Sequence, residues 1–189
     1  SINPQRRDAI DEVHRCADAG AILVKVLPNA QQFDPADRKY TPFYRALAER
    51  KLPFLSHVGY EFSLIGKDQS VGEPDRLRLA LEEGATVIAA HACSYGLILY
   101  EKFLPTLRDL VTRYPHFYAD ISALTLPNRM RMLLHLRQYP ELHERLLFGT
   151  DSSFFPRGWQ RSVYQEQGSY LFPTDAGSAG PSLASASGT

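Results

Sequence analysis

Five ionisable side chains interrupt five short apolar runs at nearly constant spacing. They are Lys25, His57, His91, Asp120 and Asp151, separated in turn by 32, 34, 29 and 31 residues. Two imidazoles and a carboxylate (His57, His91 and Asp151) form a ligand set for a divalent cation, most naturally Zn²⁺. A catalytic zinc keeps three protein ligands and an open position, and it lowers the pKa of a water toward about 7. A neighbouring carboxylate or histidine then moves protons. A lone histidine is ordinarily a hydrogen-bonded structural residue. Placement in phase at successive run ends is what makes these three a candidate site.

Side chains that recur in phase need elements that recur in phase. The runs "AILVKVL" (21–27), "PFLSHVG" (53–59), "TVIAAHA" (86–92), "FYADISAL" (117–124) and "RLLFGTD" (145–151) are nearly continuous in hydrophobicity. That pattern fits strands of a parallel sheet covered on both faces. Amphipathic stretches lie between them. "RRDAIDEVHRCADAG" ends on Gly20, and "EPDRLRLALEEG" opens at Pro74 and ends on Gly84, both helix boundary signals. "TPFYRALAER", "YEKFLPTLRDLVTRY" and "PNRMRMLLHLRQYPELHER" are further helical stretches, with Pro105 and Pro140 expected to kink or interrupt the last two. The Met and Leu residues of "NRMRMLLHLR" are expected in the core.

A period of about 31 residues matches an α/β fold of the (β/α)8 TIM-barrel type, about 250 residues when complete, whose active sites lie at the C-terminal strand ends. An open doubly wound sheet shares the alternation, but no Gly-rich phosphate loop follows any run. "SIN" before Pro4 reads as the end of a further strand, so about six of eight βα units are expected within residues 1–155. The chain thus reads as an incomplete barrel. Residues 156–174, rich in aromatics, are expected to pack over a barrel end, and the Ala/Gly/Ser-rich stretch 175–189 to be disordered.

Composition narrows the partners. The chain has 189 residues, 44% hydrophobic, with 21 basic and 21 acidic side chains. Zero formal net charge argues against nucleic acid or an anionic membrane as a partner. No apolar run approaches the roughly 18 residues of a membrane span, and the first ten residues lack the apolar core of a signal peptide. Two cysteines, Cys16 and Cys93, make no disulfide framework, so a cytoplasmic setting is expected. The expected partner is a small-molecule substrate. Unpaired sheet edges of an incomplete barrel would also favour a homo-oligomer.

The segments "ILVKVLPNAQQFDPAD", "PFLSHVGYE", "VIAAHA", "YADISALTLPNR" and "LLFGTD", in this order and at these intervals, resemble the amidohydrolase-2 branch of the metal-dependent amidohydrolase superfamily. The resemblance covers about residues 1–155 and implies a TIM-barrel enzyme, either a hydrolase or a metal-dependent decarboxylase. By resemblance, His57 matches the fifth-strand histidine, a metal ligand. His91 matches the sixth-strand histidine, which binds a second metal in binuclear members and contacts substrate or acts as acid/base in mononuclear ones. Asp151 matches the eighth-strand aspartate, which touches the metal and moves the proton. Lys25 lies where some superfamily members carry a carbamylated lysine; a substrate or structural contact is an equal reading in this branch. The first-strand His-x-His of the family is absent, since no two of His14, His57, His91, His116, His135 and His143 are spaced by one residue. The expected set would then hold zinc weakly.

The implied function is hydrolysis of an amide, ester or lactone by metal-activated water. Non-oxidative decarboxylation and a non-catalytic barrel fragment are the alternatives. Among the remaining residues, Glu61 either lines the site or is a solvated loop acid. Asp120 either hydrogen-bonds a site histidine or helps close the barrel end. His14, His116, His135 and His143 are expected at the surface, and Cys93 as a buried, inert thiol. "PNAQQFDPAD" reads as a pocket-shaping loop.

Overall fold

Each of the five apolar runs contains a strand: β1 (Val24–Val26), β2 (Phe54–Ser56), β3 (Val87–Ala89), β4 (Phe117–Asp120) and β5 (Leu146–Leu147). The computed structural model describes residues 1–61, 67–97, 100–149 and 151; the segments 156–174 and 175–189 lie outside them. The strands pair in parallel, in the order β1-β2-β3-β4-β5. Consecutive order is that of a barrel wall, whereas a doubly wound sheet reverses at a switch point. The fold is a partial TIM barrel. Ser1–Asn3, expected to end a further strand, carry no strand, although Ile2 is buried.

Register explains which residues face where. Val24, Phe54, Val87 and Phe117 stand in one row across four strands, and all are buried. The helices are α1 (Ala9–Asp18), α2 (Pro28–Gln31), α3 (Thr41–Glu49), α4 (Arg78–Glu82), α5 (Leu104–Arg113) and α6 (Met130–Leu136). Phe54 meets Phe43 and Tyr44 of α3 edge-on, with centroids 6.4 and 5.4 Å away, so this row faces the helices. Side chains alternate along a strand, and the next row (Lys25, Leu55, Ile88, Tyr118) lies on the opposite face, half-buried or exposed.

Some sequence expectations change here. Pro105 does not kink α5; it occupies the first turn, where its missing N–H costs nothing. Pro140 does interrupt, opening a 3-10 helix (Pro140–Arg145) after α6 ends. On α6, Met132 and Leu136 are buried, but Met130 and Leu134 are exposed because they fall on its outer face. The "PNAQQFDPAD" segment begins as the four-residue α2 rather than as a loop. No helix among the described residues is long and apolar enough to cross a membrane.

Three helices end by the same device. Past α1, α3 and α4, the N–H groups of Ala21, Leu52 and Ala85 bond the carbonyls of Cys16, Leu47 and Ala80 at 2.9, 2.9 and 3.0 Å. Each closure needs a left-handed residue just before it. Gly20 and Gly84 supply two, at φ 83° and 85°, but the third is Lys51 at φ 50°. A side chain is strained in that conformation. Lys51→Gly is therefore expected to raise stability by about 1 kcal/mol, read as a higher urea midpoint; a lower midpoint contradicts this account of the turn.

Candidate active site

β2 and β3 end differently, and the difference brings their histidines together. The N–H of His57 donates to Val26 O at 3.0 Å, so the ladder runs one residue past Ser56. Alternation then turns the His57 ring away from the helix-covered face. β3 instead breaks after Ala89 into a 3-10 turn in which His91, Ala92 and Cys93 all have left-handed backbones, at φ 59°, 47° and 58°. Non-glycine residues adopt this conformation only when their surroundings impose it. The result is a pair of buried imidazoles with centroids 5.2 Å apart, inclined at 70°.

The surroundings that impose it are on β4. Asp120 Oδ1 accepts the His91 N–H at 2.9 Å, the Ser122 N–H at 3.0 Å and the Ser122 hydroxyl at 2.5 Å. Ser122 in turn meets the His91 ring, with its carbonyl and its hydroxyl oxygen each 2.9 Å from Nδ1. A carbonyl can only accept, so Nδ1 carries the proton and Nε2 carries the lone pair. Asp120 therefore bonds the backbone of His91, while Ser122 orients its ring. Gly149 makes room: a Cβ there would stand 3.1 Å from Ser122 Cβ and 3.5 Å from Asp120 Cγ.

His57 is buried, and its Nε2 has no hydrogen-bond partner among the described residues. Glu61 Oε2 faces it from 3.7 Å away, too far for a hydrogen bond. Glu61 is held through its backbone. Its N–H donates to Gln69 Oε1 at 3.0 Å, Gln69 Nε2 returns a bond to its carbonyl at 3.3 Å, and Asn29 Nδ2 donates to the same Oε1 at 3.0 Å.

Electrostatics keep both rings neutral. Burial pushes His91 down to about 3, and the charges of Arg129 and Lys25 act in the same direction. Burial also lowers His57, followed by its neighbour His91 and by Arg129. Near neutral pH both imidazoles therefore offer lone pairs rather than protons.

The other expected residues are placed less tightly. Lys25 lies mid-strand, in register with Leu55 and two residues short of the His57 level, and is exposed. Asp151 is half-buried at left-handed φ 47° and acts on Arg129 by charge. Among the described residues, no three or more His, Cys, Asp and Glu side chains are grouped to hold a metal ion. His14, His116, His135 and His143 are half-buried rather than fully at the surface. Two of them bond main chain: His116 meets Leu81 O at 3.0 Å and His143 meets Leu136 O at 2.9 Å. Cys93 is fully buried, and burial pushes its thiol far up, as expected of an inert thiol. Sequence reasoning missed Ser122 and the buried Arg129. The Asp-x-Ser spacing of "YADISAL" is the one local signal for Ser122, and nothing local marks Arg129.

Residues 1–171 match the amidohydrolase family. The chain belongs to this family. Members are generally metal-dependent enzymes. Among solved structures, the chain is similar to an uncharacterised TIM-barrel protein of Bordetella bronchiseptica, at 18% identity and TM-score 0.64, covering 87% of this chain and 56% of that one. It is similar to a Pseudomonas putida protein assigned as a 2-pyrone-4,6-dicarboxylic acid hydrolase (16%, TM-score 0.57, 86% and 60%). It is also similar to a 2,6-dihydroxybenzoate decarboxylase from Rhizobium (17%, TM-score 0.55, 84% and 61%). At these identities the likeness is one of fold. A search among curated proteins returns no match.

The residues present fit part of a metal site. His57 offers a buried nitrogen with no partner among the described residues, and His91 a nitrogen whose lone pair is fixed by tautomer. The neutral rings also predict an acid sensitivity. Unfolding lets each imidazole regain its ordinary pKa of about 6.5, so between there and the lower folded value the unfolded chain binds more protons. Stability of the metal-free protein should be full above that range and fall with acidification below it, by up to roughly 1.4 kcal/mol per pH unit for each imidazole. Urea unfolding at pH 7 and pH 5 tests this; a His57→Gln, His91→Gln double variant with an unchanged slope contradicts it.

Proposed function

We propose that the protein is a metal-dependent hydrolase acting on an amide, ester or lactone bond of a small molecule. One observation carries the reading: two buried neutral imidazoles at adjacent strand ends, one whose Nε2 has no partner among the described residues and one with a tautomer fixed to bare its own. In this reading His57 and His91 each offer a nitrogen to the cation, most suitably Zn²⁺, and Asp151, which is not grouped with them as a third ligand among the described residues, acts on the attacking water. A bound cation supplies Lewis acidity and lowers a water's pKa toward about 7. The sequence spans 56% to 61% of the structures described above, and the proposed activity is that of the whole protein.

The chain's own residues then have distinct roles. The imidazoles stay unprotonated near neutral pH because burial disfavours their charge. Asp151 takes a proton from the attacking water and returns it to the leaving group. Lys25 presents a cation on the face opposite the helices, where a polar or anionic substrate group can meet it. Asp120 and Ser122 hold His91 in place.

In the whole protein, Asp151→Ala should lower kcat by about 10²- to 10⁴-fold on a panel of amide, ester and lactone substrates, and His57→Ala should lose the bound metal. Undiminished turnover in either variant contradicts the site assignment. CO₂ release from a carboxylated substrate without hydrolysis would instead establish the decarboxylase alternative.

A further inference from the structure

Arg129 precedes α6 and is 5% exposed, yet it forms no ion pair among the described residues. Its donors go to main chain instead. Nη1 donates to Ser94 O at 2.9 Å and Nη2 to Tyr60 O at 3.1 Å. Tyr60 lies three residues past His57, and Ser94 three residues past His91. One guanidinium therefore spans the same position in the two loops that carry the imidazoles.

The neighbourhood is shaped to admit it. Gly59 and Gly96 are both left-handed, at φ 96° and 84°, and a Cβ on either would lie 3.2 or 3.3 Å from a guanidinium nitrogen. At Gly59 the same Cβ would also strike Ser94 O at 2.1 Å. Other bonds finish the junction. Tyr60 N–H donates to Tyr95 O at 2.9 Å, and Asn128 Nδ2 to Gly96 O at 3.1 Å. From the far side, Glu101 accepts from the Ser94 hydroxyl and the Tyr95 N–H, both at 2.9 Å. Ser94 is thus gripped at its hydroxyl by an acid and at its carbonyl by a base.

A buried cation with no contacting carboxylate among the described residues is costly; the charges of Glu61, Glu101, Asp151 and Asp120 and hydrogen bonds to two carbonyls offset part of that cost. The arrangement gives up stability to join two loops. A planar fork with fixed donor directions suits such a junction, and a lysine ammonium lacks that geometry.

We propose that Arg129 is a positioning residue that locks the loops after His57 and His91 into one unit and so fixes the spacing of the two imidazoles. The link to metal binding rests on the function proposed above; the clamp itself does not. The test compares Arg129→Lys and Arg129→Ala with the wild-type whole protein. It uses hydrogen exchange of the main-chain amides, titration with Co²⁺ followed by its visible absorption, and thermal melting. The expected result is faster exchange concentrated in residues 57–61 and 91–97, with strand amides little changed and a lowered melting temperature in Arg129→Ala, which leaves Ser94 O and Tyr60 O without this donor. Co²⁺ affinity should be weaker by roughly 10- to 100-fold, and added guanidinium at a sub-denaturing concentration should partly restore it in Arg129→Ala. Unchanged loop exchange in both variants overturns the clamp, as does exchange that quickens equally across all strands. Faster loop exchange with wild-type Co²⁺ affinity overturns its role in spacing the imidazoles. If Arg129→Ala fails to fold, Arg129→Lys decides by the same readouts. A wild-type protein that binds no Co²⁺ refutes the metal site and leaves loop exchange to judge the clamp alone.

Discussion

Asp120 Oδ1 accepts hydrogen bonds from the His91 N–H, the Ser122 N–H and the Ser122 hydroxyl, and the geometry of the site depends on them. Three consecutive non-glycine residues at left-handed φ cost on the order of 1–3 kcal/mol each. Hydrogen bonds to a charged acceptor return about 1.5–3 kcal/mol apiece. Of the three bonds only that from the His91 N–H reaches the turn, so the carboxylate on β4 offsets part of its strain. Burial of Ala90, Ala92 and Cys93 adds to the restraint. Without that carboxylate, the turn would lose the bond that ties the His91 main chain to β4.

The same bonds decide what the imidazole can do. Ser122 is anchored by Asp120 and meets Nδ1 with acceptors, so the lone pair is exposed at Nε2. Burial and the nearby positive charges of Arg129 and Lys25 oppose protonation. Orientation and protonation state thus follow from neighbours rather than from the histidine. His57 reaches a comparable neutral state through burial and through its partner ring, but nothing among the described residues satisfies its Nε2. The two rings are prepared by different means, and both are left able to donate a lone pair to an electron-poor centre.

Much of the fold was legible in the sequence because it is local and periodic. Repeating apolar runs at about 31-residue intervals imply consecutive parallel strands, and five such strands are present. Gly20 and Gly84 marked helix ends for a backbone reason that holds in the structure. The spacing rule was looser at individual residues. Lys25 shares the rhythm yet stands two residues back, because the β1–β2 register pairs Val26 with Ser56. His57 and His91 were legible as candidates, but the turn that points His91 was not. A run of Ala and Cys carries no mark of left-handed backbone when the cause is an aspartate 29 residues away. Arg129 was hidden for the same reason: its partners are carbonyl oxygens, which no side-chain pattern announces.

If Asp120 and Ser122 set the His91 tautomer, ¹⁵N NMR of the imidazoles in the metal-free protein at neutral pH reads it directly. The expected spectrum shows a neutral His91 ring protonated at Nδ1, with that proton lost from Nδ1 or averaged over both nitrogens in Asp120→Ala. A His91 protonated at Nε2 in the wild-type protein, or the same Nδ1–H signature surviving in Asp120→Ala, would contradict it.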